Sequence, residues 1–171
     1  MRNRSNMRPQ DILILLKIVA LEEKEWKQLD LANSLKISPS EVAESLVRSK
    51  FAMLIDAQKK KPLKSNLLEF LIYGLKYVFP VSPGSETRGV PTAHSSPFMN
   101  KKIISNHAYV WPYSEGKVRG SSIEPLFKSI PKIVETDEKL YEFLAYVDAI
   151  RVGRAREQKI AKDMLSRMIK G

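Results

Sequence analysis

Ser38, Pro39 and Glu41, inside "LKISPSEVAESLV" (Leu35 to Val47), fix where one helix begins. A serine hydroxyl accepts a hydrogen bond from a free first-turn amide, and proline suits the first helical position. A glutamate three residues after the serine completes an S-x-x-E capping box. The helix therefore starts at Pro39. Upstream, Trp26, Leu29, Leu31, Ala32 and Leu35 describe a short amphipathic helix ending near Lys36, which leaves about three residues of turn. In the second helix Val42, Leu46 and Val47 fall on the inward face. Glu41, Glu44, Ser45 and Arg48 recur at i, i+3, i+4 and i+7 on the opposite one. An exposed polar face on a packed helix is what a DNA-reading helix needs.

The rest of the chain reads coarsely. A helix is expected from about Pro9 to Glu22, with Ile12, Leu13, Leu16, Ile18 and Val19 inward. "AMLIDAQKKKPLKS" offers a short strand or turn followed by a basic loop. From Ser65, "SNLLEFLIYGLKYVF" is helical with Leu67, Leu68, Leu71, Leu75 and Val78 inward, until Pro80 stops it. The segment from Pro80 to Pro97 is rich in proline, glycine and serine and is expected to be an irregular but ordered, packed loop. β-Branched and aromatic residues around "SEG" in "KKIISNHAYVWPYSEGKVRGSSIEPLF" suggest a hairpin, weakened by Pro112. A Thr136 cap then opens a long C-terminal helix. Its apolar patches are Leu140, Phe143, Leu144, Val147 and Ile150, then Ile160, Met164, Leu165 and Met168, with Gly153 allowing a bend between them. The second patch serves either core packing or an intersubunit helix contact.

Composition sets the outer limits. With 171 residues, 43% hydrophobic and 28% charged, the chain has enough apolar content for a core, which excludes disorder throughout. There is no cysteine, so neither a disulfide framework nor a Cys-based zinc site is available, and a reducing, cytoplasmic setting is expected. The apolar run "ILILL" is stopped by Lys17, far short of a membrane span or a signal peptide, so no membrane partner is expected. The net charge is +10, from 29 Lys plus Arg against 19 Asp plus Glu, and nucleic acid is the commonest partner for such an excess. Its placement suggests phosphate contacts from the basic arm "MRNRSNMR" and from Lys59, Lys60, Lys61 and Lys64. The competing account is that these side chains only keep the surface solvated.

"DLANSLKISPSEVAESLVRSKFAMLI" resembles the helix-turn-helix core of winged-helix regulators of the MarR-like type. The stretch from Phe70 to Pro97 and "RVGRARE" are similar to an uncharacterised bacterial MarR-like group. Lys36 stands where many such turns have glycine, and the lysine wing is short. The resemblance implies a mainly α fold with a small β portion. A winged helix-turn-helix DNA-binding domain would occupy residues 1–79. A loop, hairpin and helical region for dimerisation or ligand and partner binding would occupy 80–171. It also implies a DNA-binding transcriptional regulator, a probable repressor, acting on double-stranded DNA as a homodimer. The first half of the helix from Pro39 would enter the major groove, with Ser40, Glu44, Ser45 and Arg48 toward the bases.

Other functions remain open. Winged-helix modules also serve as protein scaffolds, so the alternative is a protein-interaction module, such as the antitoxin-like partner of a toxin enzyme. No H-x-x-x-H, Gly-rich phosphate loop or G-x-S-x-G is present, so nothing requires catalysis, a cofactor or a metal. Arg88, His94, Arg119, Arg151, Arg154 and Arg156 can nevertheless be imagined converging on an anion, as in a small anion-processing enzyme. Internal pairing with Glu124, Asp148 or Glu157 is the simpler use of those arginines.

Overall fold

The computed structural model describes residues 6–171, so Met1 to Ser5 of the expected basic arm lie outside the described residues. The fold is mainly helical with one small sheet. The helices are α1 (Pro9–Leu21), α2 (Gln28–Leu35), α3 (Pro39–Phe51), α4 (Lys64–Tyr73), α5 (Leu75–Val78), α6 (Ile130–Ile133), α7 (Glu138–Val152) and α8 (Ala155–Lys170). The strands are β1 (Glu86–Pro91), β2 (Tyr109–Pro112) and β3 (Val118–Ser122). No helix among the described residues is long and apolar enough to cross a membrane.

α1 and α3 begin where their sequence signals stand, whereas α2 starts only at Gln28 and leaves Trp26, expected within it, outside. Ser38 Oγ accepts the amide of Glu41 at 3.2 Å and Pro39 opens α3. The other half of the expected capping box is replaced, because the Glu41 carboxylate bonds to Arg48 and Gln10 instead. The turn closes through Lys36, which holds the left-handed conformation (φ 54°) that glycine adopts without cost. Leu31, Ala32 and Leu35 of α2 are buried with Val42 and Leu46 of α3 against α1. Leu29, expected inside, is 58% exposed, and Val47 of α3 also reaches solvent. The helix expected to run unbroken to Pro80 pauses at Gly74 between α4 and α5, leaving Val78 exposed rather than inward.

The sheet departs from the expected hairpin. β2 and β3 run parallel to one another, with Tyr109 opposite Ser121, and both pair antiparallel with β1. β1 lies inside the Pro/Gly/Ser-rich segment expected to be irregular. Its first half bonds to β3 and its second half to β2, which closes the three strands on themselves. Gly89 is the residue shared by both pairings. A Cβ there would stand 1.9 Å from the Trp111 carbonyl oxygen, so only glycine permits the change of partner. Pro112 ends β2 and Pro91 ends β1, both at strand ends where a missing amide costs no ladder bond.

The expected single C-terminal helix is two helices. Asp137, not Thr136, caps α7 by accepting the amide of Leu140 at 3.1 Å. At Gly153 the backbone is extended, and α8 folds back on α7. Leu165 is fully buried, and Ile160, Met164 and Met168 pack against the same core. That stripe is therefore spent within the chain rather than left for a second subunit. One apolar core runs continuously from Ile12 to Ile169, with α1 against α7, α4 against α8 and α2 against α6, and it does not stop at residue 79.

A buried polar node fastens the sheet to α7. Asp148 accepts from Thr92 Oγ1 (2.8 Å), Trp111 Nε1 (2.6 Å) and Arg151 Nη1 (3.0 Å). Arg151 also donates through Nε to the Phe79 carbonyl at 3.0 Å and through Nη1 to the Glu124 carbonyl at 3.4 Å. Burial pushes the Asp148 carboxyl above its usual value, although Arg151 and the two neutral donors pull the other way.

Candidate nucleic-acid interface

The face of α3 is organised by a carboxylate on another helix. Asp11, near the start of α1 and wholly buried, accepts Ser45 Oγ at 2.6 Å. It also takes the fork of Arg48, whose Nε lies 3.0 Å from one carboxylate oxygen and whose Nη2 lies 2.8 Å from the other. The Arg8 amide adds a fourth donor at 2.8 Å. Arg48 Nη2 then reaches Glu41 at 2.7 Å, where Gln10 joins at 3.0 Å. The bond to Asp11 raises the Arg48 pKa further above its already high value, which burial opposes and Glu41 reinforces. Burial alone would raise the Glu41 carboxyl, but the bonds from Arg48 and Gln10 and the charges of Arg48 and Arg8 outweigh it and leave it below the usual range.

This node corrects two expected DNA contacts. Ser45 is fully buried and Arg48 is 8% exposed, so neither side chain is presented to a groove. The helical period had placed both on the outward face, but their arc of α3 is covered by α1, where Asp11 waits. Asp11 carries little local signal of this role. Its one signal in the sequence is a lone carboxylate directly ahead of "ILILL", an apolar run that must be buried and would carry the charge inward with it.

What α3 does present is Ser40, Glu44, Val47, Lys50 and Phe51, with Ala43 half-buried among them. Beside it lies a minimal loop closed by a single bridge between Ile55 and Pro62 in place of paired wing strands. Asp56 organises this loop, accepting the amides of Lys60 (2.7 Å) and Lys61 (3.1 Å), while Lys59 sits at its tip with φ 57°. Lys60 and Lys61 are exposed and Lys59 half-buried. Lys60 is partly committed, its Nζ standing 4.4 Å over the Trp26 ring and donating to the Trp26 carbonyl. Lys64 opens α4 and is exposed.

The six residues considered for an anion do not converge. Arg88 and Arg119 stand directly opposite one another on β1 and β3, both exposed. Arg151 is buried in the Asp148 node, while Arg154 and Arg156 lie at the start of α8. His94 is buried edge-on to the Tyr109 ring at 4.6 Å and donates through Nε2 to the His107 carbonyl at 2.7 Å. Among the described residues no group of three or more His, Asp or Glu side chains is placed to hold a metal ion. In comparisons with known proteins, no protein-family model, no curated protein and no solved structure matches the chain.

Proposed function

We propose that the chain is a DNA-binding transcriptional regulator of the winged helix-turn-helix kind, with α3 as the groove helix and the Asp56–Lys61 loop as a short wing. The observation that carries this reading is the pairing of a capped, tightly led helix with a lysine loop that follows it directly and sets Lys60 over Trp26, just ahead of α2. Carboxylates on that face would repel DNA phosphates unless they are paired. Glu41 is neutralised by Arg48 and Arg8, and the Glu44 carboxylate lies 3.9 Å from Arg48 Nη1. The contacts to be made are Ser40, Glu44 and Lys50 toward bases or phosphates, and Lys59, Lys61 and Lys64 toward phosphates.

The test is a titration with random duplex DNA at several salt concentrations. Replacing Lys59, Lys60, Lys61 and Lys64 by Ala should weaken binding equally on all sequences and flatten the slope of log affinity on log salt by up to about 0.9 per lost contact. An unchanged slope rejects the wing.

A second reading has one observation in its favour. Val47, Phe51 and Met53 form an exposed apolar strip along and just past α3, with Phe51 at 64% and Met53 at 63%. Large apolar side chains gathered at a helix end suit a protein partner. Phe51→Asp separates the two readings. Loss of a co-purifying protein with duplex binding intact supports the partner, and loss of duplex binding supports the groove.

A further inference from the structure

We propose that the flank formed by α4, α5 and α8 is a second nucleic-acid surface that takes single-stranded DNA. Tyr73 and Tyr77, one helical turn apart across Gly74, are 72% and 73% exposed, the most exposed aromatic residues of the chain's large apolar side chains. No ring contact joins either to another aromatic among the described residues. Tyr77 is instead overlain by Lys76, whose Nζ is 5.0 Å from the ring centroid and 3.3 Å from Gln158 of α8. That bond ties Lys76, which lies between the two tyrosines in sequence, to α8. Lys162 lies one turn beyond Gln158 on the same arc, Lys159 stands beside it, and neither is in an ion pair among the described residues. The opposing charges nearby are Glu69, one turn before Tyr73 on α4, Glu157, which accepts the Arg154 amide, and Asp163 on α8, turned away from the Gln158 arc.

Two exposed aromatic faces set beside three cations match a polyanion that also carries flat apolar rings. Exposed bases stack on aromatic side chains without regard to sequence, and lysines follow the backbone. A duplex has no free base faces to offer, so the surface selects single strands. The choice of DNA over RNA rests on the duplex reading of α3; the stacking argument does not. α4 carries Lys64 at one end and Tyr73 at the other, about 14 Å apart by helical rise, so one helix would connect the two surfaces.

Fluorescence anisotropy with labelled (dT)20 tests the proposal on the full chain. The wild type should bind, Tyr73→Ala with Tyr77→Ala should weaken binding by roughly tenfold or more, and Tyr→Phe at both positions should restore it. Lys76, Lys159 and Lys162 to Ala should lower the salt slope by about 0.7 per lost contact. Replacing Lys59, Lys60 and Lys61 by Ala should weaken (dT)20 binding far less than the double-alanine variant does, which separates this surface from α3. Thermal melting checks that each variant is folded. Absence of (dT)20 binding, unchanged affinity in the double-alanine variant, or equal loss in the wing variant overturns the proposal. Tighter binding of (rU)20 than of (dT)20 overturns its assignment to DNA while leaving the duplex reading to its own test.

Discussion

Two buried Asp–Arg pairs hold this chain together, and they are built differently. In the first, Asp11 and Arg48 come from helices 37 residues apart, and the guanidinium fork meets both carboxylate oxygens. In the second, Asp148 and Arg151 lie one turn apart on α7, and neutral Thr92 and Trp111 share the carboxylate while Arg151 turns to backbone carbonyls. The first joins helix to helix through charge. The second joins helix to sheet through neutral hydrogen bonds, with the arginine as a bridge. The contrast shows that an arginine's role follows from where its carboxylate lies: helical spacing finds Asp148, three residues before Arg151, but not Asp11 on another helix.

Replacing each aspartate by asparagine should break the comparison most sharply. Asp11→Asn turns an amide nitrogen toward the Arg48 fork and leaves a buried cation short of its counter-charge, a loss of about 3–5 kcal/mol. Asp148→Asn keeps an oxygen for Thr92 and Trp111 and removes a charge that burial disfavours, so it should lose clearly less. Chemical denaturation of the two variants checks the order, and an equal loss removes the distinction.

The pH dependences should differ in sign. The Asp148 carboxyl is raised on folding, so its contribution is present below the unfolded value and is lost as pH rises through the folded one. Glu41 is lowered, so its contribution is present above the unfolded value and is lost as pH falls through the folded one. Across the acid range from about pH 3 to 7, Asp148→Asn should therefore improve relative to the wild type as pH rises, whereas Glu41→Gln should worsen. Melting curves at a series of pH values read both slopes.

Smaller effects sharpen the picture around α3. Ser38→Ala should cost about 1 kcal/mol through its cap, with no change in the Asp11 node. Lys36→Gly should gain several tenths of a kcal/mol, up to about 1, by relieving the left-handed turn. A destabilised Lys36→Gly protein would show that the lysine side chain contributes more than its backbone costs.

How far the sequence could be read follows the range of the interactions. α1 and α3 were legible because apolar period, proline and cap all act within a few residues. β1 was not, since its proline and glycine resemble a loop until β2 and β3 arrive from 19 or more residues away to supply its ladder. The hairpin expectation failed for the same reason: local β propensity names strands but not their partners. The lysines of the Asp56–Lys61 loop were found from charge alone. Ser45 and Arg48 were placed on the wrong face because the period of α3 carries no information about Asp11.

The continuity of the core bears on how such a chain can change over time. Leu67, Leu71 and Leu75 are completely buried although they precede the boundary that the sequence suggests, and their cover comes from helices that follow it. A gene fusion or recombination event joined near residue 79 would transplant the α3 head with that apolar face bare, and the hybrid would stick to itself before it could find a target. Under the proposed function, new binding preferences would arise by substitution on the outer face of α3 and the lysine loop, whose exposed side chains can vary without disturbing the core.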